Sequence, residues 1–238
     1  MFQTDPFALI IVLVGLSLVA LIAMVATSYL KIVVVMSLIR NALGIQSIPP
    51  NMVINALAVI LTFYIMAPVA SESWGVVVES QRSMAAKAGM SAPQTQGRGT
   101  VAHPPLTMDF STLDIGKAAE PFRKFLSDHT SPRERAFFVN TAETLWAKDD
   151  ELAAVDPESF WILLPSFCVS ELTKAFQIGF LVYLPFIAID IIVSNILLAM
   201  GMMMVSPVTI SLPFKLLLFV MVNGWTLLIQ GLVKGYML

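Results

Sequence analysis

From Phe160 to Leu238 the only charged side chains are Glu171, Lys174, Asp190, Lys215 and Lys234, and from Phe7 to Leu30 there are none. Segments this poor in charge have few folds open to them. Their backbone N–H and C=O groups must be satisfied within the segment or against neighbouring protein, which favours helices. The whole 238-residue chain is 57% hydrophobic and 13% charged, against about 25% charged in an ordinary soluble domain. The expected class is therefore all-α, built of hydrophobic helical hairpins, in a membrane protein or a subunit buried deep in an assembly.

The remaining charge is concentrated in the middle. Ser71 to Glu158 holds 9 of the 14 basic and 13 of the 16 acidic residues. Three parts follow: a hydrophobic hairpin over residues 1–70, a polar insert over 71–158, and hydrophobic helices over 159–238. Met1-Phe2-Gln3-Thr4-Asp5-Pro6 has no Lys or Arg before the first apolar run. A cleaved signal peptide has a basic start, so the run is expected to be retained. About 20 apolar residues span a bilayer, and the apolar pattern continues past Lys31 through Met36. One helix that outruns the bilayer is expected, closed by Arg40-Asn41-Ala42-Leu43-Gly44 and Pro49-Pro50. Asn51 is a suitable N-cap for a second helix from Met52 to about Val69. The connection between them, with Lys31 and Arg40, is expected to face the cytoplasm by the positive-inside rule.

In the insert, residues 81–108 are rich in Gly, Pro, Ser, Gln and Ala and are expected to form a mobile loop. Short amphipathic helices should follow, one over Leu113–Leu126 from a start near Ser111. Another should open at the capping box Ser131-Pro132-Arg133-Glu134 and run through Phe137, Phe138 and Leu145. Asp156-Pro157-Glu158 reads as a further helix start with Asp156 as N-cap. Beyond it, Pro165, Pro185, Pro207 and Pro213 are expected to interrupt the helices.

Several function classes fall away. No basic stripe supports nucleic-acid binding. The single cysteine, Cys168, reads as a small buried side chain, and no CxxC site exists. His103 and His129 both lie in the polar middle, which excludes a histidine relay or metal cluster among the apolar helices. No nucleophile–base constellation points to an enzyme, no GxxxxGK[ST] loop binds phosphate, and no cofactor is implied.

Two features remain. Glu171 and Lys174, three apart, share a helix face. With Asp190 and Lys215 they make two acids and two bases, each costly in lipid and each expected to face a partner or water. Ion pairs between helices or subunits are one reading, favoured by the charge balance; ion or proton conduction is the other. Met200, Met202, Met203 and Met204 form the second feature. Thioether side chains adapt to irregular surfaces, so these could fill a helical core. Gly201 and Pro207 beside them suggest a loop instead, which repeated around a ring would make a soft apolar constriction.

Particular strings then carry a resemblance. Gly179-Phe180-Leu181-Val182-Tyr183-Leu184-Pro185-Phe186, Ala199-Met200-Gly201-Met202-Met203-Met204, Ser211-Leu212-Pro213-Phe214-Lys215 and Gly224-Trp225 resemble the FliP/SctR family of type III secretion export gates. Ser28-Tyr29-Leu30-Lys31, Arg40-Asn41-Ala42-Leu43-Gly44 and Pro49-Pro50-Asn51 agree with it. The absence of a signal peptide and Val205-Ser206-Pro207-Val208-Thr209 lean towards the virulence, injectisome branch. The resemblance implies a self-assembled ring of about five copies in the bacterial inner membrane, projecting into the periplasm. It implies SctS-like, SctT-like, SctU-like and SctV-like partners, rod and needle proteins, contact with membrane lipid, and unfolded secreted proteins as substrates. It also implies a methionine gasket at Met202, Met203 and Met204 and an inter-subunit ion pair between Glu171 and Lys215. Lys174 and Asp190 join that charge set on chemical grounds alone. The expected function is a pore-forming, non-enzymatic export-gate subunit. The alternative is a secondary transporter for small solutes or ions with broken helices around Asp190 and Lys215.

Overall fold

The stretch Tyr29–Ala42 places Ile32, Val35, Met36 and Ile39 on one helical face, and all four are fully buried. They seed a core that takes in Ile54 and Ala58, then Ala175 and Phe186, and finally Phe219 and Leu232. The computed structural model describes residues 6–45, 48–87, 115–146 and 156–237. Among them are nine helices and no strand: α1 (Pro6–Val25), α2 (Tyr29–Ala42), α3 (Asn51–Lys87), α4 (Ile115–Ala118), α5 (Glu120–His129), α6 (Pro132–Leu145), α7 (Phe160–Ala199), α8 (Pro207–Met221) and α9 (Gly224–Lys234). The all-α class is observed. The loop expected over residues 81–108 is corrected in its first part, since residues 81–87 continue α3; its remainder and the helix start near Ser111 lie outside the described residues.

Two compact units are present. One comprises residues 1–66 and 129–238, the other residues 67–128. In the second, Arg123 pairs with Glu120 at 3.3 Å on α5, and Leu126 is fully buried. The first holds the apolar helices. α7 is its axis: α2, α6 and α8 all pack on it. Lys31 meets Glu171, and a Cβ placed on Gly179 would lie 2.3 Å from Leu38 Cδ1. Contacts 31–171 and 38–179 advance together, so α2 runs parallel to α7. The α8–α9 arm runs back along α7, pairing Lys215 with Asp190, Phe219 with Phe186 and Tyr236 with Glu171.

Several sequence expectations about the helices are corrected. The first apolar run is two helices meeting at Ala26-Thr27-Ser28, and Leu13–Val25 lies at 61° to Tyr29–Ala42. Thr27 Oγ1 donates to Ala23 O at 2.7 Å and accepts from the Tyr29 N–H at 3.4 Å. Hydroxyls that compete for backbone groups in this way end or bend helices. Lys31 and Arg40 lie on α2, not in a loop. Arg40 donates to Pro49 O at 3.4 Å and to Asn51 Oδ1, and Lys31 faces a buried carboxylate, so the positive-inside inference loses its basis. α3 continues through Pro68 to Lys87 rather than ending near Val69. α7 likewise continues through Pro165 and Pro185, and Pro213 sits inside α8. The helix expected over Leu113–Leu126 is seen as α4 and α5. Asp156 accepts the Glu158 N–H at 2.9 Å as a turn, and the N-cap of α7 is Ser159.

α6 opens at Ser131-Pro132 and runs through Leu145, as its sequence predicts, but the Ser131 side chain makes no capping bond, so that half of the expected capping box is not formed. Cys168 is half-buried, with Sγ 3.6 Å from Val25 O. Two helices, Asn51–Ser80 and Phe160–Ala199, are long and apolar enough to cross a membrane. Two bent pairs, Leu13–Val25 with Tyr29–Ala42 and α8 with α9, raise that to four if each is one span.

Candidate functional site

The methionines stand at the turn of the α7–α8 hairpin. α7 ends in a glycine cap of the Schellman type: Met202 N–H donates to Leu197 O at 2.9 Å and Gly201 N–H to Leu198 O at 3.0 Å. This closure needs a left-handed residue, and Gly201 supplies it at φ 73°. On the far side Pro207 occupies the first turn of α8, where its missing N–H costs nothing. A short loop is thus held at both ends by backbone chemistry, leaving its side chains free. Met200 and Met202 are exposed, Met203 is 83% exposed and Met204 fully so. Thioethers this exposed are not core filler within the single chain. Four flexible apolar side chains at a hairpin tip form a patch suited to apolar contact.

Behind the hairpin lie two charge clusters. The first centres on Glu171, which is 0% exposed. Lys31 Nζ lies 3.0 Å from its Oε2 and Lys174 Nζ 3.1 Å from its Oε1. Tyr236 donates its hydroxyl to Oε2. Lys174 also donates to His129 O at 2.6 Å, and Ser131 N–H donates to Ser170 Oγ at 2.9 Å, so the start of α6 is fastened to α7. Lys31 Nζ sits 3.5 Å from the centroid of the Tyr236 ring, a cation–π contact. His129 lies against the same ring at 5.1 Å. Burial, reinforced by the Glu171 carboxylate, pushes the Tyr236 phenol far above its ordinary pKa. It therefore remains a protonated donor.

The second cluster joins α7, α8 and the end of α2. Lys215 Nζ lies 2.6 Å from Asp190 Oδ2 and donates to Ala42 O at 3.2 Å. That carbonyl belongs to the last turn of α2, the negative end of its dipole. Ser211 Oγ, one turn before Lys215 on α8, lies 2.5 Å from Asp190 Oδ1. Lys215 is buried, whereas Asp190 is 31% exposed. Nineteen residues separate Glu171 from Asp190, so the clusters grip α7 about 28 Å apart along its axis.

Of the residues singled out in the sequence, Glu171 and Lys174 come together, as do Asp190 and Lys215. Glu171 and Lys215, which the resemblance pairs across subunits, belong to different clusters within the chain. Lys31, Tyr236 and Ser211 were missed. Lys31 carries a visible signal, a lone charge in an apolar run, but the expected connecting loop takes it in, whereas it lies on α2. Among the described residues no group of His, Cys, Asp and Glu could hold a metal ion.

The FliP family model matches residues 12–232. The chain belongs to the FliP family. Within it the chain falls in the virulence branch and is similar over nearly its whole length to secretion proteins of pathogens. It is 49% identical over 234 residues to "Yop proteins translocation protein R" of Yersinia pestis, covering 98% of this chain and 97% of that one. It is 43% identical over 235 residues to "Hypersensitivity response secretion protein HrcR" of Ralstonia nicotianae, covering 98% and 99%. The same identity over 235 residues relates it to "Virulence protein YscR" of Salmonella typhimurium, covering 98% and 97%. The FliP match contains both charge clusters except Tyr236, and the entire methionine hairpin.

Proposed function

We propose that this chain is a pore-forming subunit of a type III secretion export gate, conducting unfolded protein substrates across the bacterial inner membrane. Its relatives bear the names of translocation and secretion proteins, and its apolar helices are compatible with that membrane. The observation that carries the gate reading is the methionine loop. Its backbone is fixed by the Gly201 cap and Pro207, while its thioethers face outward. In a ring of about five copies, these side chains converge as a gasket, soft enough to deform around a passing chain. Family partners complete the path: SctS-like, SctT-like, SctU-like and SctV-like subunits below or beside it, rod and needle above. The assembled ring projects into the periplasm. Energy comes from those partners, and the subunit is not an enzyme.

The charge clusters serve assembly by holding α2, α7 and the α8–α9 arm as one unit. Pairing of Glu171 with Lys215 across subunits belongs to the same proposal. Both residues already hold partners within the chain, so ring formation must extend or exchange those bonds. The transporter alternative loses its motive, since Asp190 and Lys215 neutralise each other at 2.6 Å.

Replacing Met202, Met203 and Met204 together by Ala tests the gasket. The expected result is increased small-ion leak across membranes containing assembled complexes. Assembled triple-alanine rings as tight as the parent would refute the sealing role.

A further inference from the structure

The α8–α9 arm begins at the methionine loop and is fastened to α7 at Lys215. Seven residues later it bends by 59°. The bend is built into the chain: Asn223 adopts the left-handed conformation at φ 51°, and the Phe219 ring occupies the space where a Gly224 side chain would stand. Between the bent arm and α7 lies an apolar cavity of about 480 Å³, lined by Val182, Phe186, Phe219 and Leu228 among others. α9 therefore spans a gap, and its own buried side chains are only Leu228 and Leu232.

Beyond the apolar contact of Leu228 and Leu232 with the core, what holds the far end of the arm lies past the helix. Two backbone turns, Gly235 N–H to Gly231 O at 3.1 Å and Tyr236 N–H to Val233 O at 3.0 Å, carry the chain to Tyr236. There its hydroxyl meets Glu171 of α7, its ring face meets Lys31 of α2, and the His129 ring at the end of α5 lies against it, tilted by 38°. Three elements close on one side chain.

We propose that Tyr236 is a latch, fastening the free end of the α8–α9 arm to the buried Glu171–Lys31 pair so that the arm is held on both sides of its bend. With Lys215 as its only polar anchor, the arm could pivot at Asn223 against the apolar contacts of Leu228 and Leu232 alone. With both, α9 is tied to the same ion pair that fixes α2. The latch is a property of the single chain and stands or falls apart from the export-gate reading.

Hydrogen–deuterium exchange on the full-length purified protein tests it. Tyr236→Phe keeps the ring and removes the hydroxyl. The expected result is about tenfold faster exchange of α9 amides, with the middle of α7 unchanged, because a hydrogen bond to a buried charge is lost at one end of the arm only. Tyr236→Leu, which also removes the cation–π face, should accelerate α9 further. If the leucine variant does not fold, the phenylalanine variant decides alone. Unchanged α9 exchange in Tyr236→Phe overturns the latch. So does equal acceleration of every helix, which marks a general packing role.

Discussion

At the scale of single residues, burial decides which ion pair matters most. Glu171 and Lys31 are both almost wholly inaccessible, and removing one partner of such a pair strands the other charge, at a cost of about 3–5 kcal/mol. Asp190 keeps partial contact with water, which can solvate it when its partner is lost. Glu171→Ala is therefore expected to destabilise the purified protein by about 3–5 kcal/mol, and Lys215→Ala by less, as read from chemical unfolding. Both should also lower the yield of assembled rings; normal assembly of both variants would remove the charges from the interface. The Glu171–Lys174 contact was legible in the sequence because three-residue spacing on a helix sets it. Lys31 and Tyr236 were not, being 140 and 65 residues from Glu171, distances over which no local pattern operates. The methionine loop was legible because Gly201 and Pro207 are backbone signals that act within a few residues.

At the scale of helices, the close approach of α2 and α7 rests on Gly179. A methyl group there would meet Leu38 Cδ1 at 2.3 Å and Leu38 Cβ at 3.3 Å. Overpacking of this kind costs about 1–3 kcal/mol. Gly179→Ala is expected to lower stability by that order, and adding Leu38→Ala should recover much of the loss in a double-mutant cycle. Additive losses would show that the two helices do not meet there. Helix existence and type followed from apolar composition and were legible throughout. Several helix ends were not. Pro68, Pro165, Pro185 and Pro213 all sit inside helices, as apolar helices tolerate when neighbouring helices, Ser or Thr side chains or local helix adjustment can re-satisfy the backbone groups a proline frees. The breaks fall instead at Thr27-Ser28, where a hydroxyl competes for the backbone, and at Asn223, where a side chain tolerates the left-handed region. Neither signal is strong enough in a sequence to outweigh the surrounding apolar run.

At the scale of the whole molecule, the exposed apolar surface requires lipid or other subunits to cover it. Leu16, Phe63, Leu181, Leu217 and Met221 all stand exposed on four different helices. Large exposed apolar surface marks membrane or protein contacts. The charge clusters keep the arm and α2 on α7, and the hairpin then presents its methionines at one fixed place, so that copies related by ring symmetry would present them to a shared axis. Relatives named as translocation and secretion proteins make protein export the activity proposed for such an axis. The most direct test is to place a photo-crosslinking amino acid at Met203 in assembled secretion complexes stalled with a substrate in transit. Crosslinks from position 203 to the substrate, absent from a control position such as Leu16, are predicted. Crosslinks at Leu16 without any at Met203 would contradict the gate.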